Sequence, residues 1–582
     1  MADRPTDTHQ DIRYEPDERP PLALTLGLGL QYAVIAMASV MVTPAIMIQL
    51  AKGSEAYLSW AVFSALIISG ATTLIQVIRF GRFGSGYILL MGSTNVFLPV
   101  CVSALAQGGP GLLASLIIIS SFFQFIMAGK LSLLRQIFTP TVAGTAMLLI
   151  PVMIGPLIMK KLVDVPEWAS PVAAPATAAA TVLAMIVVAI RGSGMLRLWA
   201  PIIGLGAGSI TGAFFGIYDT ARIPEAGWIG TPSVVWPGLD LSFGPHFWAL
   251  LPAFVMVTFV GALDTIGDTI AMQQASWRRP RAVDFRAIQG SLNADGLGNL
   301  LSGLAGTVPN TTYAASIAIA EITRVASRAV GVCVGGLFLV MAFLPKLIAV
   351  VLAIPSPVMA SYLIVIVSVL FVMGIRVLVQ DGLDYQKGVI VGFSFWTGIA
   401  MQFGWIFPDY LHGTLGALLE NGVTTGCGMV IVLTLFLRLT GSRPQRFKTA
   451  VHIEALPQMD AFLSEFAARK RCGPEWTAQL RAVGEEALLT FIQQKDEGKA
   501  GEERQMLLIA RKNGRAIDLE FIVSANKANL EDQMAVLSEQ AAESPNEDEL
   551  SLRLLQHHAT SVRHQQFHDT DVVTVRVESA VS

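Results

Sequence analysis

Charge is scarce in this chain: Asp, Glu, Lys and Arg make up 14% of its 582 residues, against 53% hydrophobic residues. Soluble domains carry about 25% charged residues, so the scarcity excludes an ordinary globular fold over most of the length. A net charge of -3 leaves no basic field with which to hold nucleic acid. Cysteine is rarer still. Cys101, Cys333, Cys427 and Cys472 lie far apart without ligand spacing, which excludes a disulfide framework and a cysteine metal site and leaves small core or surface residues. The histidines of the C-terminal part, His452, His557, His558, His564 and His568, show no metal-ligand spacing either. The first 20 residues lack the basic and apolar regions of a signal peptide and read as an acidic, disordered cytoplasmic tail.

What the chain has instead is apolar length, with a mean hydropathy of +0.57. A helix crossing the hydrocarbon needs about 20 apolar residues. Runs of that kind lie near 22–48, 57–78, 111–129, 137–158, 172–190 and 198–217, then near 246–273, 327–350, 356–378, 386–404 and 421–438. Interrupted segments at 87–106, 290–305 and 312–324 bring the expected total to 14 elements in two halves, 21–217 and 246–440. Lys and Arg collect at alternate exits, among them Arg79, Arg82, Lys130, Arg191, Arg278 and Arg328. By the positive-inside rule this places both termini in the cytoplasm. After Arg443 the composition returns to a soluble mix, so residues 451–582 are expected to form a separate cytoplasmic domain.

Transporters built from inverted repeats reveal their site through short, interrupted helices at matching places in the two halves. The third element of the first half runs through Gly92, Ser93, Thr94, Asn95, Phe97 and Pro99. Its counterpart runs through Gly306, Pro309, Asn310, Thr311, Thr312, Tyr313, Ala315 and Ser316. Extended, hydroxyl-rich backbone survives at membrane depth only where it lines a cavity, and the helix that follows aims N–H groups at the occupant. Both segments are therefore expected to line a solute site.

Two carboxylates, Asp264 and Asp268, interrupt the eighth apolar element at a spacing that puts them on one helical face. A charged Asp at mid-span costs about 2.5 to 3.5 kcal/mol, so it normally faces a polar cavity and marks an ion or substrate path. Asp264 is read that way, as a substrate and proton-coupling group. Asp268 either shares that function or pairs locally near Gly267. Gln31 and Tyr32 break the first span, either lining the cavity or bonding between helices. Asp295 and Glu321 are placed near the cytoplasmic side as solvated or paired charges.

The residues from about 14 to 440 resemble the nucleobase-ascorbate transporter, or nucleobase-cation symporter, family in its bacterial uracil/xanthine permease form. The likeness rests on Tyr14 through Pro21 leading to Gln31, on Gly92-Ser93, on Phe138 through Thr145, on Gly267-Asp268, and on Asp295 through Tyr313 to Arg328. The resemblance implies an α-helical polytopic membrane protein with 14 transmembrane elements as a 7+7 inverted repeat. It also implies a core and a gate domain, with short strands before the third and tenth helices and a base bound between them. Carried over by position, Asp264 stands where the family has its substrate-binding Glu and Asp268 where it has a second polar or acidic residue. Tyr32 replaces a His, Asn95 an aromatic, and Ala315 the Gln or Glu that grips the base; a lost hydrogen bond there is worth about 0.5 to 1.5 kcal/mol. With Gln31, Thr94 and Ser316 these residues form the expected substrate site.

Residues 451–582 alternate helix and strand patterns: helices over 459–470 and 474–493, a hairpin of 504–510 and 516–523 about Asn513-Gly514, and a strand over 572–577. The segment looks like the ATPase-type fold of anti-sigma-factor kinases, with Glu486-Ala-Leu-Leu-Thr490 at the nucleotide box. Thr490 stands where that box has its Asn, and Asn526 through Asp532 carry no Asp-x-Gly-x-Gly motif. An inactive, regulatory or dimerising module is expected.

The reading that follows is a bacterial inner-membrane transporter, not an enzyme, performing proton-coupled symport of a nucleobase such as uracil, xanthine or urate. It needs no cofactor beyond the coupling ion, a proton or else sodium. The expected partners are the solute, the lipid membrane, a second copy in a homodimer and a regulatory partner for 451–582. The alternatives are an anion transporter of the sulfate/bicarbonate type on the same fold, and a membrane sensor signalling through its C-terminal domain.

Overall fold

The structure, a computed structural model, describes residues 12–130, 139–220, 222–279, 281–380, 382–407, 409, 413–440, 444–493, 504–513, 516–524, 554–555, 557–566 and 570–578. Phe138, Gly514, the Asn526–Asp532 segment and the first 11 residues lie outside them. The chain divides into two units, one of residues Met1–Arg278 with Ala287–Thr434, the other of Arg279–Arg286 with Leu435–Ser582.

The larger unit is helical. Its elements are α1 (Leu22–Leu50), α2 (Glu55–Ile78), β1 (Met91–Ser93), α3 (Leu98–Gly129), α4 (Pro140–Leu162), α5 (Ala173–Arg191) and α6 (Ala200–Phe214). The second half supplies α7 (Pro245–Ala275), α8 (Phe285–Ala305), β2 (Asn310–Thr312), α9 (Ala315–Thr323), α10 (Arg328–Ala342), α11 (Pro345–Leu352), α12 (Ser356–Gln380), α13 (Tyr385–Gln402), α14 (Gly413–Glu420) and α15 (Gly422–Thr440). Seven of the described helices are long and apolar enough to cross a membrane. An eighth span is counted if α10 and α11, bent by 81° at Leu344-Pro345, are taken together.

Every expected element has a counterpart, but two differ in form. The third and fourth run together in α3, kinked at Gly109, whose φ of 74° and ψ of -170° interrupt the helix before Pro110. Only glycine takes such a conformation without steric cost, and proline cannot extend the preceding helix. The 327–350 run is no straight span, because Pro345 cannot donate the bond that would continue α10.

Packing sorts the helices into two sets. In one, α1 and α2 pack on α10, and α3 packs on α7; in the other, α4 and α5 pack on α12, with α6 on α5 and α13 on α4. The strands β1 and β2 form an antiparallel ribbon joining the two repeats, with Met91 opposite Thr312, Gly92 opposite Thr311 and Ser93 opposite Asn310. α8 is wedged tightly behind it: a Cβ on Gly290 would lie 2.2 Å from the carbonyl oxygen of Gly84. The carbonyls at the end of α8 are satisfied by two indoles, Trp236 to Leu304 O and Trp60 to Ala305 O, each at 2.8 Å.

The first 20 residues do not all form a free tail. Residues 12–20 pair with the α9–α10 turn, Tyr14 bridging Val325 in parallel, because the turn offers unpaired backbone groups that the segment satisfies.

The smaller unit holds a five-stranded antiparallel sheet of order β3-β4-β5-β7-β6, made of β3 (Gln445–Ala450), β4 (Gln505–Asn513), β5 (Ala516–Ser524), β6 (Ser561–Gln566) and β7 (Thr570–Glu578). Helices α16 (Leu456–Arg469) and α17 (Pro474–Gln493) bury Leu463, Phe466, Leu480 and Phe491 against Leu508, Phe521 and Val575. β3 and β6 are absent from the sequence reading. Both are polar edge strands, Gln-Arg-Phe-Lys-Thr-Ala and Ser-Val-Arg-His-Gln-Gln, which lack the apolar alternation of the inner ones.

Candidate functional site

The site is built where the sheet ribbon ends and two helices begin. After β1, Thr94 caps a single 3-10 turn by accepting from Val96 N at 3.3 Å, and its own N–H donates to Pro309 O at 3.1 Å. Asn95 follows, half-buried, its Oδ1 accepting from Thr43 of α1 at 3.1 Å while its amide nitrogen stays available. After β2, Tyr313 N donates to Leu90 O and the Tyr313 hydroxyl to Ser93 O at 2.8 Å, which locks the two broken elements together. Ala315 then opens α9. It carries no polar side chain, so it offers only its backbone N–H; the next two N–H groups are already bonded, Ser316 N to Tyr313 O at 3.0 Å and Ile317 N to Ala314 O at 3.1 Å.

Two residues of the expected site hold the scaffold. Ser316 is fully buried; its Oγ accepts from Leu90 N at 3.0 Å and its carbonyl from the Tyr32 hydroxyl at 3.4 Å. Tyr32 thereby ties α1 to α9 from a position with no solvent exposure. Gln31, next to it, is half-buried and makes no hydrogen bond to a described residue.

α7 passes the 3-10 turn with Phe254 against Phe97, ring centroids 6.3 Å apart, and presents Gly261, where a Cβ would lie 3.6 Å from the Phe97 ring. Asp264 sits one turn on. It is half-buried, and its carboxylate accepts no hydrogen bond from any described residue. Asp268, one turn further, accepts from the Thr312 hydroxyl at 2.8 Å. The two carboxylates share a face as their spacing requires, yet one is held by the ribbon and the other is open.

The sequence reading missed the third carboxylate. Asp295 of α8, placed there near the cytoplasmic side, is 1% exposed. Its Oδ2 accepts from Gln124 of α3 at 2.5 Å, Thr265 of α7 at 3.0 Å and Thr311 of β2 at 3.5 Å. The network continues through Gln124 Oε1 to Asn299 at 2.8 Å, and from Asn299 Oδ1 to the backbone N–H of Asn310 at 2.8 Å. Toward α7, the Thr312 and Thr265 oxygens lie 3.4 Å apart, each hydroxyl donating to its own carboxylate, Thr312 to Asp268 and Thr265 to Asp295. The signal was present: Asn293 through Asn299 mixes polar residues with Gly296 and Gly298 in a buried helix, a composition that fits a polar interior better than a solvated end.

A cleft of about 520 Å³ opens at the end of the unit where α1 finishes, lined by Gln49, Lys52, Glu55, Lys161, Asp164 and Asp219 among others. Next to it, sharing Gln49, Lys161 and Ser356, is a much smaller hollow of about 10 Å³ between Ile46 of α1 and Met359 and Leu363 of α12. Deeper along both helices, Ser39 and the fully buried Tyr362 share a hydrogen bond of 3.4 Å. That contact joins the two helix sets one turn of α1 beyond Thr43, the partner of Asn95. In the smaller unit, Thr490 is 2% exposed and its hydroxyl bonds back to Glu486 O at 2.7 Å, so it is turned into its own helix.

The Permease family model (Xan_ur_permease) matches residues 24–406. The chain is 29% identical over 452 residues to a Clostridium perfringens protein named as a proposed purine permease, a match covering 74% of this chain and 94% of that one. With the xanthine permease XanP of Escherichia coli it shares 27% identity over 447 residues, covering 73% and 95%. Among solved structures, the transmembrane domain of the bicarbonate transporter BicA of a cyanobacterium aligns over 73% of this chain and all of that one, with 15% identity and a TM-score of 0.44. An overlap that low bears on neither fold nor solute.

Proposed function

The chain belongs to the Permease family, a multi-pass membrane transporter, and from that premise we propose that it carries a nucleobase, a purine such as xanthine foremost, in symport with a proton across the bacterial plasma membrane. The observation that carries the reading is the carboxylate of Asp264, half-buried on a helix that packs against both the 3-10 turn and α9, and without a hydrogen-bond partner among the described residues. A buried carboxylate is costly unless something pairs with it. A base supplies that pair through its ring N–H groups, and its carbonyl oxygens suit the Ala315 N–H at the positive end of α9 and the amide nitrogen of Asn95. The names of the relatives, a xanthine permease and a proposed purine permease, support the same class of solute.

Asp268 is the second group of the coupling device. Because Asp268 and Asp295 accept from the neighbouring hydroxyls of Thr312 and Thr265, a proton arriving at either carboxylate changes the field at the other and frees the hydroxyl between them to turn. Alternating access then follows from movement of the α4, α5 and α12 set against the set that carries the site, with the Ser39–Tyr362 contact parting on one side.

Uptake of radiolabelled xanthine, uracil, urate and bicarbonate into proteoliposomes under an imposed pH gradient tests this. Gradient-driven uptake of a base is expected, with Asp264→Asn lowering it by about 10- to 100-fold, the worth of a hydrogen bond to a charged group. Bicarbonate flux, or base binding with no flux, would overturn the proposal in favour of an anion carrier or a sensor.

A further inference from the structure

The acidic stretch Tyr14 through Pro21 takes no part in the site, yet residues 12–18 bond to Arg278, Arg324, Ala326, Ser327 and Arg328. Arg278, at the end of the helix that carries Asp264 and Asp268, is held by both oxygens of Glu18 at 2.8 and 2.6 Å. Its other donors reach Ile12 O at 2.9 Å and Arg13 O at 2.8 Å, and its backbone N–H reaches Glu15 at 3.1 Å. This pairing holds the Glu18 carboxyl below its ordinary range, the hydrogen bond from Arg278 being the main cause.

The same segment caps α9. That helix ends at Arg324, whose φ of 59° and ψ of 28° are left-handed, a strained state for a residue with a side chain. The Arg324 carbonyl accepts from Arg13 N at 2.8 Å and Tyr14 N at 3.3 Å, Ala326 N donates to Tyr14 O at 2.9 Å, and Arg328 N donates to Pro16 O at 3.0 Å. The Ser327 hydroxyl donates to Glu18 O at 2.6 Å. The Arg328 side chain pairs with Asp17 at 2.8 Å and also donates to Gly86 O, in the segment that leads into β1. Trp277 donates to the Tyr87 hydroxyl at 3.3 Å beside it.

We propose that residues 12–20 are a clasp that fastens the end of α7, the α9–α10 turn and the lead-in to β1 into one rigid piece, so that both halves of the site move as a unit. A nine-residue α9 and a three-residue ribbon are too short to hold that alignment alone. The clasp supplies the missing constraint through charge at Arg278 and backbone pairing at Arg324. The functional half of the idea rests on the transport reading above; the structural half does not need a solute.

The experiment uses the full chain in lipid nanodiscs for hydrogen exchange and in proteoliposomes for uptake, comparing wild type with Glu18→Arg, Arg278→Glu and the two combined. Each single change is expected to speed amide exchange about tenfold over 84–91 and 314–328, the equivalent of one lost charge-assisted bond. Maximal uptake should fall severalfold while KM for the base stays within about twofold, and the exchanged pair should recover both. If either single variant fails to fold, Glu15→Gln with Glu18→Gln, and wild type at raised salt, must give the same local acceleration. Unchanged exchange over 84–91 and 314–328 in every variant overturns the clasp. Loss of uptake that the exchanged pair does not recover overturns its role in moving the site. Should wild type carry no base at all, the exchange measurement still decides whether the clasp exists.

Discussion

Asp264 and Asp295 are both carboxylates within the helical unit, on neighbouring helices, and their surroundings are opposite. Asp295 is fully buried and accepts from Gln124, Thr265 and Thr311, whereas Asp264 is half-buried and accepts from none of the described residues. A buried carboxylate needs partners. The difference teaches that one carboxylate is held through its Oδ2 by the scaffold behind the ribbon, while the other has no hydrogen-bond donor among the described residues and is the one we propose the solute completes.

The sharpest way to break this comparison is to truncate each carboxylate in turn. Asp295→Ala strands three donors, each costing about 1–3 kcal/mol when left unpaired, so the thermal midpoint of the purified protein should drop by many degrees. Asp264→Ala strands nothing and should stay within about 0.5 kcal/mol of wild type in the same melt while binding of the base is lost. Equal destabilisation by the two would end the distinction.

Between these extremes stands Asp268, which has one partner. Thr312→Val removes that bond and the hydroxyl that stands between Asp268 and Thr265, the partner of Asp295. Uptake driven by a pH gradient should fall about tenfold, with equilibrium exchange of labelled base, which needs no net proton movement, affected less. A loss of the same size in both assays would make the threonine a contact for the solute and not a link to Asp295.

The smallest effect is expected from the other unit. Removing everything after Arg446 takes away a sheet with its own closed core, and uptake should stay within about twofold of wild type. Abolished uptake from a truncated protein that still melts cooperatively would move the α/β unit into the transport cycle.

The order of the spans, the two interrupted elements and the position of Asp264 were legible in the sequence, because lipid forces long apolar runs and makes each charge within them conspicuous. The helices and inner strands of the C-terminal unit were legible for a related reason, their apolar periodicity. The clasp was not, since acidic residues near a chain end look the same whether they are solvated or paired with Arg278. Nor was the bend at Pro345 or the burial of Asp295, whose helix is too polar and glycine-rich to stand out as a span.

By itself the sequence determined that this chain enters a membrane, folds as two matched halves and breaks its third element in each. Only the tertiary structure decided which polar groups satisfy one another: that Ser316, Tyr32 and Thr94 are spent on the scaffold, and that Asp264 has no hydrogen-bond partner among the described residues. The physical reason is that hydrophobicity is a property of each residue summed along the chain. Hydrogen-bond satisfaction is a property of pairs, and the pairs here, such as Thr265 with Asp295 or Tyr32 with Ser316, join residues that only folding brings together.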